Sequence, residues 1–357
     1  MRVAFITRSS LFSVPGGDTI QTLETVRHLN LLGIHPDIKL SCESIDYDDF
    51  DILHFVNLGR PADILVHLTK ARLPFVVTTN FVDYSSFDRQ NRKGLPGLLL
   101  KQLSVDGTEY CKTLFRWIRG KDNLGTPSYL WKGQRRCITQ ILEQAKHLFS
   151  NSKSEYDAIV SAYQVSPNYS SIPNAINKNL FRNNDEIKKD YSMVLCVARI
   201  EGIKNQLNLI RALNHTEFRL ILIGKAAPNQ RSYYEECKRA AASNIEFISH
   251  LPQTELLPYY QKAKVHILPS WFETTGLSSL EAAAMGCNIV ITNKGYARDY
   301  FQEDAVYCDP GSIESIFSAV SIASALPSNK TLMSRVASEY TWDKAASQIA
   351  NIYKQIV

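Results

Sequence analysis

Residues 265–292, VHILPSWFETTGLSSLEAAAMGCNIVIT, decide how the rest of the chain is read. The segment opens with a short apolar run, Val265 to Leu268, and closes with another, Asn288 to Thr292. Runs of this length and composition are buried strands, and the alanine-rich stretch between them, from about Gly276 to Met285, is a helix former. Strand, polar loop, helix and strand make a β-α-β unit, the building block of a parallel sheet.

In an open parallel sheet, ligands settle beyond the carboxyl ends of the strands, where helix N-termini offer unpaired amides. Thr274-Thr275-Gly276-Leu277 falls at that place, and Gly276 allows the backbone to turn there without a Cβ penalty. Glu273 lies before the helix and Glu281 inside it, so both are expected to look into a single crevice. A carboxylate can accept two hydroxyl protons at once, as a vicinal diol presents them. Taken singly these features have plainer readings, since acidic residues near a helix start complement its dipole and an alanine-rich face packs a core.

The combination of Pro269-Ser270, Glu273, Gly276-Leu277, Glu281-Ala282, Gly286 and Val290 resembles the donor-site signature of retaining glycosyltransferases of family 4, which have the GT-B fold. Companion residues for that signature stand at 198–206, ARIEGIKNQ, after an apolar strand from Met193 to Val197. Arg199 closes the strand, and Lys204 is expected to open the following helix. The resemblance implies that Arg199 and Lys204 hold a donor diphosphate and that Glu281 binds ribose hydroxyls. It also implies that Glu273, with the amides of Thr275, Gly276 and Leu277, positions the donor sugar. Cations at that place suit the chemistry, because a nucleoside diphosphate leaves with growing negative charge. Ser249-His250-Leu251-Pro252 and Asn293-Lys294-Gly295-Tyr296 match loops that line the base pocket and border the sugar in the resembled family.

The first half of the chain carries weaker signals. Val3 to Thr7 reads as a strand, Gly16-Gly17-Asp18 as a turn, and Thr19 to about Leu32 as an amphipathic helix stopped by Gly33. By resemblance, Gly16 and Gly17 face the donor phosphates or the acceptor. The D-x-D spacings in Asp46-Tyr47-Asp48-Asp49 read as a solvated acidic turn, because cations and helix amides already serve a diphosphate; no metal and no cofactor are expected. Strands follow at Ile52 to Val56 and Phe75 to Thr79, and the latter runs into Asn80-Phe81-Val82-Asp83. The family often has a histidine here, so Asn80 is a departure, and Asn80 and Asp83 are candidates for contacting acceptor or transferred sugar.

Between Arg89 and Arg136 there are eleven Lys or Arg against three acids, interleaved with Tyr110, Phe115, Trp117, Tyr129 and Trp131. Such a face suits the interface of an anionic membrane, and equally a solvated helical insertion with its aromatics in the core. Nothing in it resembles a nucleic-acid recognition module. The whole chain, 357 residues with a formal charge of +5, contains no apolar run near the roughly 20 residues that span a bilayer. Its N-terminal Met1-Arg2-Val3-Ala4-Phe5-Ile6-Thr7 is too short for a signal sequence. Seven scattered cysteines without C-x-x-C spacing read as reduced thiols, which fits the cytoplasm or the inner face of its membrane.

The strand and helix pattern predicts an α/β protein, and the resemblance implies GT-B architecture, with two Rossmann-like domains facing a central cleft. The expected divisions are an acceptor domain over 1–174 with a basic helical insertion at about 89–136, a donor domain over 175–340, and a C-terminal helix over 341–357 crossing back onto the first. The implied activity is retaining, metal-independent transfer of a sugar from a UDP- or GDP-linked donor to an acceptor hydroxyl. The acceptor expected is a glycan or a lipid-linked oligosaccharide of surface polysaccharide assembly. A GT-B-like epimerase or phosphorylase and a non-catalytic sugar-nucleotide sensor are the alternatives.

Overall fold

The computed structural model describes residues 1–85, 87–88, 104–118 and 128–357. The chain divides into two compact units: unit 1 is Met1–Pro173 together with Trp342–Val357, and unit 2 is Asn174–Thr341. Each is built on its own six-stranded, wholly parallel sheet.

Unit 1 contains β1 (Arg2–Thr7), β2 (His35–Leu40), β3 (Ile52–Val56), β4 (Phe75–Thr78), β5 (His147–Ser150) and β6 (Tyr169–Ser171), in the spatial order β2-β1-β3-β4-β5-β6. Its described helices are α1 (Gly17–Leu31), α2 (Pro61–Leu68), α3 (Val105–Ile118), α4 (Ser128–Gln144), α5 (Lys153–Tyr163) and, from the far end of the chain, the helix Trp342–Ile356. β3 is buried along its whole length, as strands covered on both faces must be. The Trp342–Ile356 helix packs on α1 and reaches β3 through Tyr353, whose hydroxyl lies 2.5 Å from His54 Nδ1. His54 Nε2 meets the Thr78 hydroxyl at 2.7 Å, and burial pushes this imidazole down to about 3, so it is neutral. Of the basic segment, α3 and α4 hold Lys112, Arg116, Lys132, Arg135 and Arg136. Arg89, Arg92, Lys93, Lys101, Arg119, Lys121 and the run 98–100 lie outside the described residues.

Unit 2 contains β7 (Asp190–Val197), β8 (Arg219–Ile223), β9 (Ile245–Ile248), β10 (Ala263–Leu268), β11 (Asn288–Thr292) and β12 (Val306–Cys308), ordered β12-β11-β10-β7-β8-β9. Its helices are α6 (Gln206–Leu213), α7 (Arg231–Ala240), α8 (Gln253–Lys262), α9 (Leu277–Ala284), α10 (Arg298–Phe301), α11 (Ile313–Ala325) and α12 (Lys330–Glu339), which makes the C-terminal Trp342–Ile356 helix α13. From β7 the chain runs outward to β8 and β9, then returns to the other side of β7 at β10. The order reverses between β7 and β10, and that switch point is where the crevice of a doubly wound sheet opens. All seven cysteines are free thiols, five of them buried. Among the described residues no helix is long and apolar enough to cross a membrane.

Candidate functional site

The switch point of unit 2 is framed by two loops, one leaving β7 and one leaving β10. Gly224 lets the first loop pass close to its neighbour: a Cβ there would stand 1.9 Å from the Ala198 carbonyl oxygen. Beyond Arg199 the chain makes a 3-10 turn over Gly202–Lys204, and α6 begins only at Gln206, so Lys204 sits on the turn before the helix rather than at its start. Asn205 takes the left-handed conformation, φ 61°, that short polar side chains tolerate. Its buried amide donates to the carbonyls of Pro269 at 3.0 Å and Pro310 at 2.8 Å. The Trp271 amide in turn donates to the Ile203 carbonyl at 2.9 Å. The two loops are thus fastened to each other by the Asn205 side chain and by a main-chain bond.

That fastening sets the charges. Lys204 Nζ donates to Glu273 Oε1 at 2.5 Å, and the same oxygen accepts from Ser270 Oγ at 2.6 Å. Glu273 is buried, and its backbone is paired with the loop at 294–296, where the Tyr296 amide donates to the Glu273 carbonyl at 2.8 Å. Gly295, φ 98°, makes this approach possible, since a Cβ would fall 2.2 Å from the Glu273 carbonyl oxygen. Arg199, half exposed, places its guanidinium 2.9 Å from Glu201.

Gly276 caps α9 in the left-handed conformation, φ 78°, packed so tightly that a Cβ would meet Ile291 at 2.9 Å. The first amides of α9 have no intrahelical acceptor and point toward the carboxyl edge of the sheet. Thr275, buried, is fixed by the Asn174 side-chain amide at 3.0 Å, and Ser278 donates to the Val197 carbonyl at 2.8 Å.

Glu281 lies one turn into α9, with both carboxylate oxygens occupied by α8: Gln253 donates at 2.7 Å and the Tyr260 hydroxyl at 2.8 Å. Burial pushes its carboxyl up to about 7, against the two hydrogen bonds that favour the ionised form. Glu273 and Glu281 therefore flank the start of one helix, each in its own hydrogen-bond set. The sequence did not single out Tyr260 or Gln253.

In unit 1, Gly16 is the extended N-cap of α1 and Gly17 its first residue. The preceding loop is closed by Arg8, which pairs with both Asp18 oxygens at 2.6 and 3.1 Å and donates to the Ser10 and Val14 carbonyls. Asp83 accepts from the Ser85 amide at 2.8 Å, the pattern of a local turn. Asn80 is left-handed, φ 42°, and half-buried. Its side chain belongs to a closed ring of three carboxamides: Gln21 donates to Asn151 at 2.7 Å, Asn151 to Asn80 at 2.7 Å, and Asn80 to Gln21 at 2.9 Å.

Beneath the ring, the fully buried Glu155 accepts from the Thr79 hydroxyl at 2.5 Å and from the amides of Phe81 at 2.6 Å and Asn151 at 2.8 Å. Its amide donates to Ser152 Oγ at 3.2 Å, capping α5, and its carboxyl at the same time fixes two loops. Among the described residues no group of three or more His, Cys, Asp or Glu side chains is placed to hold a metal ion.

Comparison with known proteins gives this geometry a context. Residues 177–337, most of unit 2, match the family model described as Glycosyl transferases group 1. Among curated relatives, the glycogen synthase of Mycobacterium tuberculosis is 28% identical over 172 residues, covering 45% of this chain and 42% of its own. The D-inositol 3-phosphate glycosyltransferase of Corynebacterium diphtheriae is 27% identical over 188 residues, covering 46% and 44%. The chain spans less than half the length of these relatives. Over the whole chain, the sucrose-phosphate synthase of Thermosynechococcus elongatus superposes with a TM-score of 0.75 at 16% identity, covering 99% of this chain and 98% of the other. Anabaena HepE, solved in complex with UDP-glucose, superposes with a TM-score of 0.67 at 14% identity, covering 99% and 100%. At these identities the likeness shows the fold, which is GT-B.

Proposed function

We propose that this protein transfers a sugar from a nucleotide-diphosphate sugar, UDP- or GDP-linked, to an acceptor hydroxyl with retention of anomeric configuration. The observation that carries the reading is the fastened pair of loops at the β7/β10 switch point, which sets Lys204 against Glu273 beside the first amides of α9. Lys204 and Arg199 each pair with a carboxylate, Glu273 and Glu201 respectively. A diphosphate entering the crevice exchanges those partners for its own oxygens. As the bond to the sugar breaks, negative charge grows on the leaving phosphate, and cations already in place stabilise it without reorganising. These cations and the α9 amides supply the positive charge the leaving group needs, so the reading takes no metal.

Glu281, held on both sides by α8, takes the ribose hydroxyls, and Glu273 with the amides of Thr275, Gly276 and Leu277 orients the sugar. The leaving phosphate receives the acceptor proton on the same face from which it departs, which accounts for retention. Gly16 and Gly17 bring backbone close to donor phosphate or acceptor. HepE was solved with UDP and with UDP-glucose, which makes uridine the first base to test.

The acceptor in this reading is a lipid-linked oligosaccharide at the inner face of a membrane. Its support is the surface of α3 and α4, where Trp131 is 86% exposed, Ile118 74% and Phe115 54%, among Lys132, Arg135 and Arg136. Each cation near an anionic bilayer contributes about 1 kcal/mol. Anionic vesicles should bind the wild type and release an Ile118→Ser, Trp131→Ser variant; equal binding of both removes the membrane from the proposal.

Thermal stabilisation across UDP, GDP and their sugars tests the donor site, with Arg199→Ala, Lys204→Ala as the control. A selective shift with one diphosphate, lost in the double variant, supports the reading. No shift with any nucleotide refutes it.

A further inference from the structure

We propose that Asn174, the first residue of unit 2, is a positioning residue of the donor-sugar site, acting through Thr275 on the amides that open α9. The inference deepens the sugar-transfer reading and rests on it for the nature of the ligand; the bond that carries it lies wholly within unit 2.

The Asn174 carboxamide is buried and donates one N–H to the Thr275 hydroxyl at 3.0 Å. Its Oδ1 is buried too, with no hydrogen-bond partner among the described residues. A buried carbonyl left unmatched costs about as much as a neutral hydrogen bond contributes, or more. The residue therefore adds little to the stability of the fold, and an apolar side chain would leave no oxygen orphaned. What the bond supplies is direction. Thr275 is branched at Cβ, and the rotamer such a residue can hold depends on its φ and ψ, so fixing the hydroxyl fixes the backbone with it. That backbone leads into Gly276, left-handed and packed against Ile291, and so into the first amides of α9.

Asn174 can serve as a support because it is itself held. Its backbone amide donates to the Tyr300 hydroxyl at 3.0 Å. Tyr300 is buried with its ring 5.2 Å from that of Tyr340, whose hydroxyl donates to the Tyr300 carbonyl at 3.3 Å. Two residues on, the Ile176 amide donates to the Tyr340 carbonyl at 2.9 Å, and Ile176 bridges to Thr341. The two ends of unit 2, 174–176 and 340–341, thus form one support to which the turn at Thr275 is tied. Groups that orient a ligand need backing of this kind to keep their geometry. In the sugar-transfer reading the diphosphate is held chiefly by Lys204 and Arg199, whose partners are Glu273 and Glu201. The sugar alone should therefore feel the loss of Asn174.

The test is calorimetry on the full chain with UDP-glucose, UDP-galactose, UDP-N-acetylglucosamine and GDP-mannose, each beside its free diphosphate. Variants are Asn174→Ala, Thr275→Val and the double variant. Thr275→Val keeps the shape and every amide and reads the same bond from its other side, so the test stands if Asn174→Ala does not fold. For a sugar nucleotide that the wild type binds, each single variant should lower its affinity about tenfold relative to the free diphosphate. The double variant should lose no more than either single one, because both remove one interaction. The proposal is overturned if that ratio moves less than about threefold, if sugar nucleotide and diphosphate weaken together, or if the two losses multiply. A wild type that binds no nucleotide refutes the sugar-transfer reading itself, whereas variants that match a binding wild type refute only the role of Asn174.

Discussion

Glu281 should make this protein less stable at neutral pH than in mild acid, and replacing it with glutamine should remove that dependence. The carboxyl is buried, and its folded value stands at about 7 against an ordinary 4.5. Below 4.5 it is protonated in both the folded and the unfolded chain and contributes no penalty. Between 4.5 and 7 the unfolded chain releases the proton while the folded one keeps it, so stability falls as pH rises. Above about 7 the full penalty is present, at most about 3 kcal/mol for a shift of this size. Glu281→Gln keeps an acceptor for Gln253 and places its amide toward the Tyr260 oxygen, at a loss of about 1 kcal/mol in hydrogen bonding. The variant should therefore gain about 1–2 kcal/mol over the wild type at pH 8 and gain nothing at pH 4. Urea denaturation of both proteins across this range reads the difference directly. Equal pH slopes between 4.5 and 7 would refute the argument. The same carboxyl links to the proposed donor, because a diol donates best to the ionised form. UDP affinity of the wild type should rise with pH through about 7 and be flat in the variant.

Lys204→Ala should weaken UDP binding by about 10- to 100-fold, the loss of one charge-assisted hydrogen bond, measured by calorimetry; an unchanged affinity would detach Lys204 from the diphosphate. Gly295→Ala drives a Cβ toward the Glu273 carbonyl oxygen and should cost about 2 kcal/mol or more in urea, with UDP affinity falling because Glu273 is displaced. A Gly295→Ala protein as stable as the wild type would contradict that loop geometry. Glu155→Gln sets an amide N–H against one of three donors and should lower stability by about 2–4 kcal/mol at pH 7, read from the thermal midpoint. No change would mean that Glu155 does not bind the two loops together.

The sheets were legible because their strands are short apolar runs with turn residues at their ends, and β3 and β11 are buried from end to end as such runs require. The β7/β10 loops were legible for another reason: each carries its informative residues in one contiguous run, 199–206 and 269–281, and the two runs together resemble a known donor-site signature although they pair across 69 residues. Where polar groups meet across long separations the sequence was silent. Gln21, Asn80 and Asn151 are ordinary amides until the fold closes them into a ring. Glu155 occupies a helix-capping position that fully accounts for its type, which hides its second role. Tyr260 was not singled out, because nothing local tells that its hydroxyl will face a carboxylate 21 residues on. Lys204 was placed at a helix start because the left-handed turn at Asn205 depends on two distant carbonyls, Pro269 and Pro310.

Unit 1 is completed by residues made after unit 2, and this orders the folding of the nascent chain. When residue 173 leaves the ribosome the six strands of the first sheet are all present, yet the face of α1 that receives α13 is still open to water. His54 then has no tyrosine partner, and it waits while 168 residues of a separate unit are synthesised and able to fold on their own core. Domains fold as units during synthesis. Here the unit begun first is the one finished last, so the interval before Tyr353 emerges is when the first sheet is most open to chaperones and proteases.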